Sequence, residues 1–366
     1  MTAPPTTVDL PAVRRAMWRA VLDGDAHGAC DVVFPLLDGG LDAEVVLLDV
    51  IAKVQAKVGV EWAANRVSVA QEHAASAVND RVITAVLHHP AARVEDPGRR
   101  GRVTVACVDQ EWHALPARLL AEVLHLRGWR VDFLGAQVPT PHLIRHVHRT
   151  GPLAVALSSS IPTRLPVAHA AISACQATGV PVLVGGAAFG PDGRYARQFG
   201  ADAWAPDARE AAGILERGLP PTGMETARQA IEDLPHLGDQ EFTMVVGTAR
   251  QLVKQTMVDL EDRIPALRAY TEEQRHHTAE DIAHLVDFLA ASLYTDDPEL
   301  FTRFITWMAS ILTARGVPAT VLRPTLDLLG GQLRDFPRAG HHVERARRAL
   351  TTAAPAPATS GSQDAV

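Results

Sequence analysis

Between residues 102 and 186 the hydrophobic pattern of this chain changes period, and that change restricts the fold more than any other feature of the sequence. RVTVACV (102–108), WRVDFLG (129–135), LAVALSSS (153–160) and PVLVGG (181–186) are short β-branched or apolar runs, and the stretches 116–127, 140–149 and 164–178 between them carry helical spacing. Strands that alternate with helices pair in parallel, because parallel neighbours need a long crossover, and such crossovers are nearly always right-handed. The expectation is a doubly wound sheet covered on both faces, completed by a last short strand and closing helix in FGADAWAPDAREAAGILERG (199–218).

Both flanks read differently. AVRRAMWRAVL (12–22), AEVVLLDVIAKVQAKVGVEW (43–62) and SVAQEHAASAVNDRVITAVL (68–87) place apolar residues three and four apart, with Asp-Gly and Gly-Gly pairs at 23–24 and 39–40 as punctuation. Short connections between helices imply antiparallel neighbours, hence a small four-helix bundle. PAARVEDPGRRG (90–101) reads as a linker and GLPPTG (218–223) as a boundary. Beyond about residue 240 four amphipathic segments follow, with no strand signal, and the last dozen residues have the composition of a disordered tail. The expected class is therefore α and α/β multidomain: a helical cap over 1–95, a Rossmann-like (flavodoxin-like) domain over 96–217, an all-α domain over 225–352 and a tail over 353–366.

Composition removes several functions. A net charge of −7 with scattered Lys and Arg leaves little electrostatic footprint for nucleic acid, which favours small-molecule or protein partners. Cys30, Cys107 and Cys175 are odd in number, widely spaced and set among apolar residues, so neither a disulfide framework nor a thiolate metal site is expected. No apolar run reaches the length of a membrane span and no secretory signal is read at the start, so the expected location is the cytoplasm. No phosphate loop, metal pair or nucleophile elbow is present, and the chain is not expected to be an enzyme.

In an open parallel sheet, ligands bind outside the carboxyl ends of the strands. After the first strand comes Asp109-Gln110-Glu111-Trp112-His113-Ala114-Leu115-Pro116; after the third, Ser158-Ser159-Ser160; after the fourth, Gly185-Gly186. Together they describe a cleft with an imidazole that a carboxylate can orient, a hydroxyl wall, and glycines that let something bulky approach the backbone. This set resembles the cobalamin-binding domain shared by methionine synthase, methylmalonyl-type mutases, corrinoid carrier proteins and the light-responsive cobalamin regulators. Pro116 stands where that pattern has Gly, and Ser160 where it has Leu. The resemblance implies that His113 binds cobalt from the lower face, that the nucleotide tail of the cofactor enters a slot beside Ser158, Ser160, Gly185 and Gly186, and that Glu111, or Asp109, bonds the far imidazole nitrogen. Trp112 and Leu115 belong to the same loop.

Upstream, Trp62 is followed after nine residues by Glu72-His73, with Val69 between them. This is similar to the helical cap of the light-dependent cobalamin regulators, in which such residues cover the upper face of adenosylcobalamin. The implied roles are shielding by Trp62 and Val69, hydrogen bonding by Glu72, and a replacement cobalt ligand in His73. With only about ten residues ahead of the first helix, a winged helix-turn-helix is not expected, whereas an additional helical segment follows the sheet. That order resembles the photocobilins, which hold adenosylcobalamin beside a biliverdin. It implies a light sensor that signals through its own oligomerisation, as a dimer or tetramer, or through partner contacts. It also implies a non-covalent bilin, no cysteine lying beyond Cys175, with Tyr270, His276, His277, His284, Tyr294, Arg303 and Trp307 as candidates to bind it. The rival readings are a corrinoid carrier for a methyltransferase and a cobalamin-gated interaction module without photochemistry.

Overall fold

Asp9, Asp25, Asp42 and Ser68 each stand one residue ahead of a helix, and each side chain accepts a hydrogen bond from a backbone N–H of the first turn. These caps start α1 (Leu10–Leu22), α2 (Ala26–Asp38), α3 (43–63) and α4 (Val69–His88), the last through a capping box in which Gln71 answers Ser68. Helix α3 is continuous but not uniform: Val46–Ile51 form a π-helical turn between the α-helical segments Ala43–Val45 and Ala52–Ala63. In this computed structural model residues 8–219 and 234–352 are described, so the tail expected at 353–366 and most of the 218–223 boundary lie outside the described residues.

The chain divides into two compact units at Pro235 and His236. In the first, α1 to α4 bury Met17, Val33, Val50, Ile51, Val54, Val58, Val82 and Ile83 in a common core. The sheet follows: β1 (Arg102–Cys107), α5 (Ala114–Leu126), β2 (Arg130–Gly135), α6 (Thr140–Thr150), β3 (Ala154–Ser158), α7 (Leu165–Gln176), β4 (Val182–Gly185), α8 (Arg194–Gln198), β5 (Ala203–Ala205) and α9 (Ala208–Arg217). All strands are parallel in the order β2-β1-β3-β4-β5. Val103 pairs with Val131 on one side and Ala154 on the other, so β1 and β3 form the point where the winding reverses. The carboxyl ends there face the crevice in which ligands of such sheets bind.

The helical region and the sheet lie in the same unit. Leu119 of α5 is buried in the core of the helices, and Leu48 of α3 packs on the core of the sheet, so one set of apolar contacts runs through both.

In the second unit, α10 (Glu241–Arg263), α11 (Glu272–Thr295), α12 (Pro298–Ala314), α13 (Leu322–Gln332) and α14 (Pro337–Thr352) enclose Leu285, Leu289, Phe301, Ile305, Leu326 and Leu329. Phe288 stacks on Phe304 with ring centres 3.6 Å apart. The buried carboxylate of Glu241 caps α14, accepting from the N–H groups of Arg338 at 3.1 Å and Ala339 at 2.8 Å. Among the described residues no helix is long and apolar enough to cross a membrane.

Candidate functional site

The loop after β1 is organised by Glu111, whose side chain is only 1% exposed. One carboxylate oxygen, Oε1, accepts from the backbone N–H of His113 at 3.0 Å and lies 2.6 Å from its ring Nδ1. The other, Oε2, accepts from the N–H groups of Ser160 at 2.7 Å and Ile161 at 3.1 Å, in the loop after β3. Burial alone would raise the pKa of this acid, but the bonds from His113, Ser160 and Ile161 outweigh it and hold Glu111 down at about 2. Glu111, rather than Asp109, is therefore the imidazole's partner; Asp109 stands half-buried on the approach to the turn.

His113 is 55% exposed and sits at the start of α5, anchored through Nδ1. With Nδ1–H facing a carboxylate, Nε2 keeps its lone pair and has no protein partner among the described residues. The hydrogen bond to Glu111 raises the His113 pKa against the opposing effect of burial, and the charge of Glu72 adds to the rise. This is the arrangement of a metal-binding imidazole oriented by an acid behind it.

His113 borders a cleft of about 480 Å³ that joins the helical region to the sheet. Glu72 and His73 line it together with Gln55, Ser76 and Asp80 on the helical side; Trp112, His113, Leu115, Pro116, Arg118, Phe133 and Ser160 line it on the other. Trp112 is 71% exposed. The structure thus brings together Glu72, His73, Trp112, His113, Leu115 and Ser160. It does not bring Trp62 and Val69 to the cleft wall: Trp62 is half-buried at the last turn of α3, and Val69 is exposed at the first residue of α4.

Pro116 also borders a narrower pocket of about 100 Å³ at the carboxyl ends of β3, β4 and β5, lined by Ser158, Leu183, Gly185, Gly186 and Ala208. Gly186 has φ +99°, and a Cβ there would lie 2.2 Å from the carbonyl oxygen of Ser159, so only glycine closes this wall. An open imidazole donor oriented by a buried acid, a wide cleft beside it and a glycine-walled slot at the strand ends fit a corrin ring with a nucleotide tail.

Gln55, Ser76 and Arg118 were not expected in this site. Their sequence signal is weak, a polar residue in an amphipathic helix being the usual mark of a solvated face; Ser76 stands four residues after Glu72, on the same face of α4.

In the second unit the residues expected to hold a bilin do not converge. Tyr270, in the connection before α11, and His276, His277, His284, Arg303 and Trp307, on outer helix faces, are exposed, with His276 and His277 pairing with Glu280. Tyr294 packs edge-on against Phe242, and burial raises its hydroxyl to about 12. An apolar cleft of about 600 Å³ opens elsewhere, between α10 and α11, along Val253, Met257, Ala283 and Val286, with Arg250 and Lys254 on its rim.

Residues 101–214 match the family described as B12 binding domain, and residues 13–87 match a second family of the same description. The chain therefore carries cobalamin-binding domains, and they contain the cleft. Over 145 residues it is 33% identical to the HTH-type transcriptional repressor CarH of Myxococcus xanthus; the match covers 38% of this chain and 46% of the repressor, so the chain spans about half the length of that relative. Among solved structures it is similar to the monomethylamine corrinoid protein of Methanosarcina barkeri, with 18% identity, a TM-score of 0.49, and coverage of 57% of this chain and 98% of that one. It is also similar to a cobalamin-binding protein of Desulfitobacterium hafniense DCB-2, with 21% identity, a TM-score of 0.33, and coverage of 57% and 98%.

Proposed function

We propose that this protein is a cytoplasmic light sensor that holds adenosylcobalamin between His113 and the helical region. The observation that carries the reading is the single cleft in which the anchored imidazole of His113 is walled on the opposite side by Glu72 and His73. When bound, such a cofactor supplies a cobalt–carbon bond weak enough for visible light to break. His113 would offer Nε2 to the cobalt, Glu111 holds Nδ1 and fixes the ring, and the slot at Gly185 and Gly186 would take the nucleotide tail. Glu72 accepts hydrogen bonds from the upper group, and His73 provides a second imidazole beside it. Glu72 and His73 would hold the helical wall against such a cofactor, and the signal would leave as a change of self-assembly or partner contacts rather than as an enzymatic product.

The proposal includes a non-covalent biliverdin in the second unit. The α10–α11 cleft replaces the residue set expected from the sequence, with Arg250 and Lys254 as cations for the two propionates.

A second reading, a corrinoid carrier for a methyltransferase, is favoured by the position of Trp62 and Val69 away from the cleft wall, since a carrier needs no cap over an adenosyl group. One experiment separates them: protein is reconstituted in the dark with adenosylcobalamin and biliverdin, desalted and exposed to green light while its absorption spectrum is recorded. The sensor reading expects retained corrin bands that shift irreversibly, beside a retained far-red band. A light-inert corrin without a bilin band overturns it in favour of the carrier.

A further inference from the structure

We propose that Asn79, Gln55 and Ser76 form a one-way hydrogen-bond relay that fixes Glu72 as an acceptor in the cleft, so that the site selects an upper cobalt substituent carrying hydroxyl or amino donors. The inference rests on the cobalamin reading of the cleft and gives positioning roles to Asn79, Gln55 and Ser76.

Asn79 is 0% exposed and lies on α4 beside Val78, Val82 and Ile83 of the apolar core, facing Gln55 of α3. A buried amide is expensive unless hydrogen-bonded, and its Oδ1 has no partner among the described residues, whereas a leucine here would pack without that cost. The amide is kept for its other end. Its Nδ2 donates to Gln55 Oε1 at 2.7 Å, which turns the Gln55 amide so that Nε2 donates to Ser76 Oγ at 2.8 Å. The Ser76 hydroxyl, having accepted, has one proton to give, and gives it to Glu72 Oε1 at 3.0 Å. A carboxylate only accepts, so every donor in the chain must point toward the cleft; the opposite sense would set donor against donor.

Glu72, Ser76 and Asn79 recur at four and three residues along one face of α4, which aligns the relay without bending the helix. At its end Glu72 is held by Ser76 on one oxygen and by His73 Nδ1, 2.7 Å away, on the other. Fixed in this way, the carboxylate presents its remaining lone pairs to whatever lies over the cleft floor. Ribose hydroxyls or an adenine amine satisfy them; a methyl group leaves them partly desolvated and unpaired. A site built to bond a polar group discriminates strongly against an analogue without it.

The test is equilibrium binding of adenosylcobalamin and of methylcobalamin to the full-length protein in the dark, for wild type, Ser76→Ala and Ser76→Thr. Ser76→Ala is expected to weaken adenosylcobalamin about fivefold more than methylcobalamin, while Ser76→Thr, which keeps the hydroxyl, retains the wild-type ratio. An unchanged ratio in Ser76→Ala, or an equal loss for both cobalamins, overturns the relay while leaving the cobalamin site standing. Wild-type protein that binds neither overturns the site itself and the relay with it. The thermal midpoint of the ligand-free variants shows whether a change in binding reflects a folding defect, and Ser76→Ala, a small half-buried truncation, is expected to leave it in place.

Discussion

Arg127 grips Glu44 through two parallel hydrogen bonds, Nε to Oε2 and Nη2 to Oε1, each 2.8 Å long. Glu44 opens α3 and Arg127 follows the last residue of α5, so this fork ties the helical region to the sheet at the end of α5 remote from His113. Arg209 adds bonds to Glu44 at 3.2 Å and Asp49 at 2.9 Å. Replacing Glu44 with alanine removes the fork but leaves Arg127 with Glu216 at 3.5 Å and the half-exposed Arg209 with Asp49. Urea titration at neutral pH is expected to show the first unit destabilised by about 1 kcal/mol. Arg127→Lys, which keeps the charge but not the fork, should lose about half as much.

Glu111 makes the acid stability of the same unit a property of the site. Its folded pKa of about 2 lies below the ordinary carboxylate value, so its stabilisation is complete above about pH 4.5 and disappears as pH falls toward 2. Glu111→Gln should flatten the fall in unfolding free energy across that window by about 3 kcal/mol, and should weaken cobalamin binding about 10-fold or more by releasing the His113 ring. Identical pH profiles for variant and wild type would contradict the assignment.

Gly186 and Gly185 are expected to respond very differently to alanine. At Gly186 a methyl group meets the Ser159 carbonyl, which is already fixed by a bond from the Ala188 N–H at 3.1 Å, and the backbone is left-handed. Gly186→Ala should cost about 3 kcal/mol. At Gly185 the nearest atom is the Ala205 carbonyl oxygen at 3.3 Å, φ is unexceptional, and the loss should be under about half of that. Thermal melts of the two variants make the comparison.

The second unit has its own acid window. His342, buried in the core, has a pKa depressed to about 4, by burial first and by the Arg338 charge second; Ser292 donates to the Leu289 carbonyl and so receives the His342 Nδ1–H, at 2.9 Å. Because the unfolded imidazole takes its proton near pH 6.5, stability is complete above that value and falls between about 6.5 and 4, by about 3 kcal/mol. His342→Leu should remove this slope. Fluorescence-detected urea titrations at pH 7, 5.5 and 4 test it.

What could be read from the sequence was whatever depends on local pattern and on the rule for parallel sheets. His113 and Glu111 lie two residues apart on a strand-end loop, and that spacing alone lets the carboxylate reach the ring. Gly186 was legible for a similar reason, as a glycine pair directly after an apolar run. Asn79 and Gln55 were not, because their partnership depends on how α3 is phased against α4, and no local pattern encodes the packing of two helices. His276 and His277 pointed the other way: their side chains promised chemistry, but the rotation of α11 turns them outward, while the unremarkable Arg250 and Lys254 border a cleft.

The π-helical turn at Val46–Ile51 gives α3 the character of a gear with two sets of teeth. Asp49 within the turn meshes with Arg209, and Gln55 just beyond it meshes with the cleft. Each residue of an α-helix advances the rotation by about 100°, and the wide turn absorbs one residue that a regular helix of the same span would not hold. Deleting a residue there would restore regular geometry yet swing one set of teeth out of mesh, carrying Gln55 away from Asn79 or Asp49 away from Arg209. The irregular turn thus sets the phase between seam and cleft, and a change of length in this helix is expected to disturb one or the other.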